Sequence, residues 1–554
     1  MKKAVIVGAL RISVCLALSP GVAAAQSVNY LNFTPSVIVP AQTEPVLIEA
    51  ELTAAATSVT VDFNPAGTTS SVITLRDDGA EGDRAANDRI YSARLPVGPI
   101  LAARTLDDVN RVAIGFLNVF NGSTRLFRGN LFVDVYTSVM GVYPFVRLSQ
   151  FVQASTRVVN IHDATYFVRR DVTSITREFY RYFPDNYDVL NIVFDPQRFD
   201  NRTHRVIKNT VSGIGLSATD SSATYGSAGR LTGISFFPIS RLFDGVETGF
   251  IHELGHQWIN YIRAQPFAAG SPHWPYSSMA GGVMGFSIGG TGGQGGTFGC
   301  AITEDPRGFI LTQTTDAPAF NDLDLYLMGL LPASEVRPQF VFADQSTSPR
   351  CDGSVYTGAM TRVGVNDVIA SAGPRVPAFG AAPTNFKMAT ILVTREGLAS
   401  REAMSFYSWM AERAEWRTRV PTHSGFSKEL GQPFFVATGR RGTVQMDIDL
   451  GRADFAVTPG TPSATVSRGT DALYEIAVFS RRSTFEAPVS LTCESLPVNA
   501  ICNFQSASLT PGAGGQTTVM SIATTGVATG THIVIVTGRN GDEKHSTAVT
   551  LVVR

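Results

Sequence analysis

One pattern, present at both ends of the chain, limits the fold more than any other feature. Short runs of alternating apolar and polar residues recur about every ten positions, separated by turn residues. Over 26–137 the runs are PVLIEAEL, SVTVDF, SSVITLRD, RIYSARLPV, RVAIGFLNVF and RLFRGNLFVDVY. Over 453–554 they are YEIAVFS, APVSLTCESL, AICNFQSASLTP, TTVMSIATT, GTHIVIVTGRNG and STAVTLVV. Alternation of period two half-buries a strand, so a β-sandwich is expected at each end. The region between, 138–452, reads differently. Phe167, Val168, Val172, Ile175, Phe179 and Phe183 fall at helical spacing, as does REAMSFYSWMAERAEWR, while YDVLNIVFD, GRLTGISFFP and FKMATILVTRE read as strands. Helices and strands do not alternate regularly there, so the expected class is multidomain α+β.

A chain of 554 residues suits about three domains. Its net charge of −1 offers nothing to nucleic acid or to an anionic membrane surface. Residues 1–25 pair two lysines with an apolar stretch, Pro20 and the run Ala23-Ala24-Ala25, which reads as a secretory signal peptide. No segment is long enough to span a membrane. The expectation is a protein secreted to the extracellular space or periplasm. Past Cys15, four cysteines remain, and proximity suggests the disulfides Cys493–Cys502 and Cys300–Cys351.

The chemistry sits in ETGFIHELGHQWINYI (247–262). With 8 histidines in 554 residues, chance predicts about 0.005 occurrences of HExxH. Ile251, Leu254, Trp258 and Ile262 form one apolar stripe, so the segment reads as an amphipathic helix. His252 and His256, four apart, share a face and suit one ion. Imidazole nitrogens favour Zn²⁺, which makes bound water acidic, and Glu253 is placed to act as general base.

Through HELGH the region resembles the zincin metallopeptidases. The third ligand separates their branches. Ile259 and Ile262 stand where metzincins need Gly and His, and the gluzincin pattern needs a Glu on a following helix, yet no acidic residue occurs from Gln257 to Thr303. The chain is also similar to exported bacterial proteins that combine such a helix with a His-Trp pair, a glycine-rich segment and DLYLMGL, here over 248–336. His273, in SPHWPYSS, is therefore expected to close the site, ahead of Asp322, Asp324, Glu304 and Asp305. Tyr326, with Tyr276 as an alternative, is a candidate to stabilise an oxyanion. The run GGVMGFSIGGTGGQGGTFGC (281–300) makes sense as a wall beside the metal.

The end segments resemble immunoglobulin-like modules of secreted bacterial enzymes. The expected domains are thus a signal peptide (1–25), a β-sandwich (26–137), a zincin-like metallopeptidase domain (138–452) and an immunoglobulin-like sandwich (453–554). In the acidic turn 77–88, Asp77, Asp78, Asp83 and Asp88 are candidate Ca²⁺ ligands. The expected activity is hydrolysis of protein or glycoprotein chains, with the sandwiches touching cell surface or matrix. The competing reading is a non-catalytic adhesin with a structural or vestigial zinc site. His162 and His204 lack companion ligands, and His423, His532 and His545 are expected to be exposed.

Overall fold

A computed structural model describes residues 28–65, 69–104, 109–137, 141–238, 243–270, 273–280, 282–285, 300–313, 319–346, 349–421, 430–481 and 483–554. The signal-peptide segment lies outside them, as do His423 and nearly all of the glycine run.

Both ends form two-sheet sandwiches. At the N-terminal end, strands Val28–Thr34, Val46–Leu52 and Ile90–Leu95 make one sheet. The facing sheet runs in the order Val37–Ile38, Thr124–Tyr136, Val109–Asn121, Ser58–Phe63, Ser71–Leu75. The inward alternation positions Ile48, Val59, Val61, Leu95, Leu117 and Leu131 are fully buried between them. At the C-terminal end, a four-stranded sheet that includes Ile501–Phe504 faces a five-stranded sheet that includes Val489–Glu494. The Cys493–Cys502 disulfide ties the two sheets together. Cys351 is also disulfide-bonded, and the side chain of Cys300, expected as its partner, lies outside those described.

The middle region is organised by an eight-stranded mixed sheet. Its order is Thr203–Val206, Gly233–Pro238, Val189–Asp195, Asn385–Thr394, Val158–His162, Val152–Ser155, Phe145–Arg147, with Thr443–Gln445 also on Asn385–Thr394. The inner pairs are parallel and the outer strands antiparallel. Helix Val172–Tyr182 covers one face through Ile175 and Phe179, which meet Leu190 and Ile192. Helices Thr248–Gly255 and Arg401–Arg413 cover the other, where Val189 and Val193 point.

The expected α+β class with a helical, zincin-like domain is overturned. The fold is β-rich: among the described residues helices number eight, and the longest has 13 residues. The apolar spacing over 164–183 gives two helices, Ala164–Arg169 and Val172–Tyr182, because the chain turns at Arg170 with φ 56°. The HExxH helix is only eight residues long. It is also not amphipathic in the expected sense, since every residue from Gly249 to Gly255 is buried.

The C-terminal sandwich does not hang from a linker. Ile535 and Ala548 belong to the same apolar cluster as the HExxH helix. Around them lies a buried ionic network. Arg157 meets Glu412 (3.1 Å) and Glu415 (3.0 Å), Arg481 meets Glu415 (2.5 Å), and His545 reaches Asp454 (2.8 Å) and Glu412 (3.2 Å). His545, expected to be exposed, is thus fully buried: it lies on the same side of its strand as Val549 and Leu551, packs on Phe455 (4.8 Å), and meets Arg157 and Glu412 of the middle region. No helix among the described residues is long and apolar enough to cross a membrane.

Candidate metal centre

The strand Gly233–Pro238 leads through Asp244–Val246 into the helix Thr248–Gly255. Gly245 packs so closely on Met410 and Ala414 that a Cβ there would stand 2.5 Å from Ala414 and 2.7 Å from Met410. At the far end, hydrogen bonds from Gln257 to Leu254 (3.0 Å) and from Trp258 to Gly255 (3.0 Å) carry one more turn, which Asn260 closes with φ 77°. That extra turn keeps His256 one helical step above His252.

The structure brings His252, His256 and His273 together. Nε2 of His252 is 3.1 Å from Nε2 of His273 and 3.2 Å from Nε2 of His256, and the three ligand nitrogens all lie within 4.8 Å of one another. Two nitrogens each about 2.05 Å from one ion at a tetrahedral angle stand about 3.3 Å apart, so this spacing fits three ligands of one zinc. The protonation states fit as well. Burial holds His252 down to about 4, against its bond to Val283. Burial and then the two neighbouring imidazoles hold His256 down to about 2, and burial lowers His273. Neutral rings leave lone pairs for a cation. The Val283 carbonyl takes Nδ1–H of His252 at 2.6 Å, which leaves Nε2 facing its partners.

Glu253 is buried beside this cluster in sequence and accepts a hydrogen bond from Nε of Arg202 (3.0 Å). Burial pushes its carboxyl up to about 7, and Arg202 opposes that shift. Next along the edge strand, His204 bonds Gln257 (2.9 Å) and Ser235 (3.0 Å), and burial lowers it to about 4. It supports the helix rather than joining the imidazoles.

The remaining candidates are placed elsewhere. The buried Tyr326 hydroxyl accepts the backbone N–H of Arg375 (3.1 Å), and no described contact links it to the imidazoles. Tyr276 packs on the small cluster of Leu311 and Phe342. Asp322 pairs with Arg337 (2.6 Å) and Asp305 with Arg307 (2.8 Å). Glu304 lies on the strand Cys300–Asp305. Asp324 is fully buried, pushed up by burial to about 7, and accepts from the Trp274 indole (2.7 Å). Of the glycine-rich run, residues 282–285 and Cys300 are described, and the former do border the centre through Val283.

In the acidic turn, carboxylate oxygens of Asp77, Asp83 and Asp88 lie within 4.8 Å of one another, whereas Asp78 pairs with Arg76 (3.3 Å). Those carboxylates accept backbone N–H groups of the turn, from Gly79 to Asp83 and from Asp88 to Asp77. A sequence reading misses Arg202 and the Val283 carbonyl, and it names Asp324 as a possible ligand where the structure makes it the acceptor of the Trp274 indole. Only the DLYLMGL resemblance pointed toward that aspartate.

No protein-family model matches the chain, and no curated protein matches it. Solved structures similar to parts of it include S-layer protein SbsC domains 4 and 5 (14% identity, TM-score 0.14), covering 20% of this chain and 55% of that one. A chimeric titin Z1Z2 (15%, TM-score 0.13) is covered over 97% of its length by 19% of this chain. The Dscam1 Ig7 domain, isoform 5 (15%, TM-score 0.13), is covered over 98% by 18% of this chain. These likenesses are local and carry no argument about the centre.

Proposed function

We propose that the chain is a zinc-dependent hydrolase of peptide bonds, with His252, His256 and His273 as ligands and Glu253 as general base. The convergence of three neutral imidazole nitrogens at zinc-ligand spacing supports it most directly. Zinc held there supplies a Lewis acid that eases loss of a proton from water. Glu253, with its affinity for protons raised to about 7, takes a proton from water and returns it to the leaving amine. Arg202 holds the carboxylate in place and limits how far burial neutralises it. The signal-like N-terminus and the Cys493–Cys502 disulfide favour an exported enzyme acting on protein or glycoprotein chains.

The test uses the full chain, with zinc content by mass spectrometry and cleavage of a mixed peptide library. Glu253→Gln is expected to keep one zinc per chain and lose cleavage by about 10²- to 10⁴-fold. Equal cleavage by both proteins would sink the proposal. Zinc binding without cleavage by either would favour a binding protein with a structural site.

A further inference from the structure

We infer that Asp324 is a positioning residue of the metal centre, setting through the Trp274 indole where His273 presents its ring. The inference rests on the zinc reading above.

Asp324 lies in the helix Asp322–Met328 and is fully buried. One carboxylate oxygen is fixed by the Asn321 backbone N–H (3.0 Å) and side-chain amide (2.8 Å). Asn321 in turn accepts N–H bonds from Leu323 (2.9 Å) and Asp324 (3.0 Å), a reciprocal cap that locks the carboxylate to the helix start. The other oxygen points away and receives Nε1–H of Trp274 at 2.7 Å. Both oxygens are engaged, and Asp324 is not among the residues whose ligand atoms converge, so the carboxylate serves as an anchor.

Trp274 is held at a second point. Its backbone N–H bonds the Met284 carbonyl (3.0 Å), one residue from the Val283 carbonyl that orients His252. Val283 itself bonds the Ala319 carbonyl (3.3 Å), two residues before the cap. The His273 N–H bonds the Gly270 carbonyl (2.8 Å), so the chain on either side of the imidazole is pinned. Two of the three imidazoles, those of His252 and His273, thus take their orientation from one short strip, and Asp324 fixes the loop that carries His273.

Trp274→Phe removes the N–H and keeps the ring, Asp324→Ala removes the acceptor, and Asp324→Asn keeps an acceptor oxygen. Zn²⁺ affinity and the visible spectrum of the Co²⁺-loaded full chain are measured for each, with His273→Ala as reference and metal-free melting as the folding control. The Phe and Ala variants should bind Zn²⁺ about 10- to 100-fold more weakly, with Co²⁺ spectra shifted toward that of His273→Ala. The Asn variant, whose oxygen faces Trp274 only with its NH2 turned toward the Asn321 donors, should recover part of the affinity. A folded Trp274→Phe protein with wild-type affinity and spectrum overturns the inference. Wild-type protein that takes up no metal overturns this inference and the zinc reading together. Wild-type protein that binds metal but cleaves nothing overturns only the enzymatic reading.

Discussion

Gly255 shows how tightly the imidazoles are boxed in. A Cβ on it would overlap the Met284 sulfur and stand 3.1 Å from Phe320. Met284 is fully buried and adjoins Val283, so it has little room to yield. Alanine regains about 1 kcal/mol of helix propensity, but overpacking costs about 1–3 kcal/mol. Gly255→Ala should therefore lower stability in urea by up to about 2 kcal/mol and weaken zinc binding as Val283 shifts. An alanine variant more stable than wild type would show that Met284 moves aside freely. What was legible at this scale was local. His252, Glu253 and His256 share one turn, and their spacing carries the message. Arg202 reaches Glu253 across 51 positions, Val283 reaches His252 across 31 and Asp324 reaches Trp274 across 50, through contacts that no short pattern encodes.

The sheet beneath the HExxH helix carries a buried polar row, and strand register explains it. His204 pairs with Ser235, Ser235 with Asn191, and Asn191 with Thr390, all on neighbouring strands. These residues point to the helix side of the sheet, as Val189 and Val193 do. Among the described residues, neither atom of the fully buried Asn191 amide has a hydrogen-bond partner. An unpaired buried amide costs about 1–3 kcal/mol, so Asn191→Leu should raise the melting temperature. A fall of several degrees would mean the amide is satisfied in solution. A second expectation concerns the helix Arg401–Arg413, whose first turn is capped by Ser400 accepting from Ala403 (3.2 Å). Ser400→Ala should cost about 1 kcal/mol in chemical denaturation. The strands themselves were readable from β-branched runs such as LNIVF. Their arrangement was not, because parallel pairing of Val189–Asp195 with Asn385–Thr394 joins segments nearly 200 residues apart and leaves no periodic trace.

Across the whole molecule, the ionic network that seats the C-terminal sandwich makes stability depend on pH. Burial acts to lower His545, but Asp454, with hydrogen bonds to it and to Glu412, overcomes this and raises it to about 10. Glu543 (3.5 Å) and Arg157 (3.0 Å) also face the ring. A group raised above its unfolded value stabilises fully below that value, so this contribution is present below about 6.5 and is lost as pH rises toward 10. Glu412 behaves oppositely. Burial would raise it, yet Arg157 and His545 bring it down to about 2, so its contribution is present above about 4.5 and lost below. Melting temperature should accordingly be higher near pH 6 than near pH 9, and His545→Gln should flatten that slope. An unchanged slope in the variant would assign the alkaline loss to other groups. The alternation that located this sandwich places His545 on the inward side of its strand with Val549 and Leu551. It looked exposed because its partners Asp454, Glu412 and Arg157 arrive from 91, 133 and 388 positions away and leave no local trace.

The shared core around Ile535 and Ala548 has a practical consequence for limited proteolysis. The chain passes between the middle region and the last sandwich through the exposed Gly451 and Arg452, the former with φ 72°. A protease can cut there without touching the buried contacts that join the two parts. The nicked protein should run as two fragments in denaturing gels, yet elute as one species on a sizing column and keep whatever activity the intact chain has.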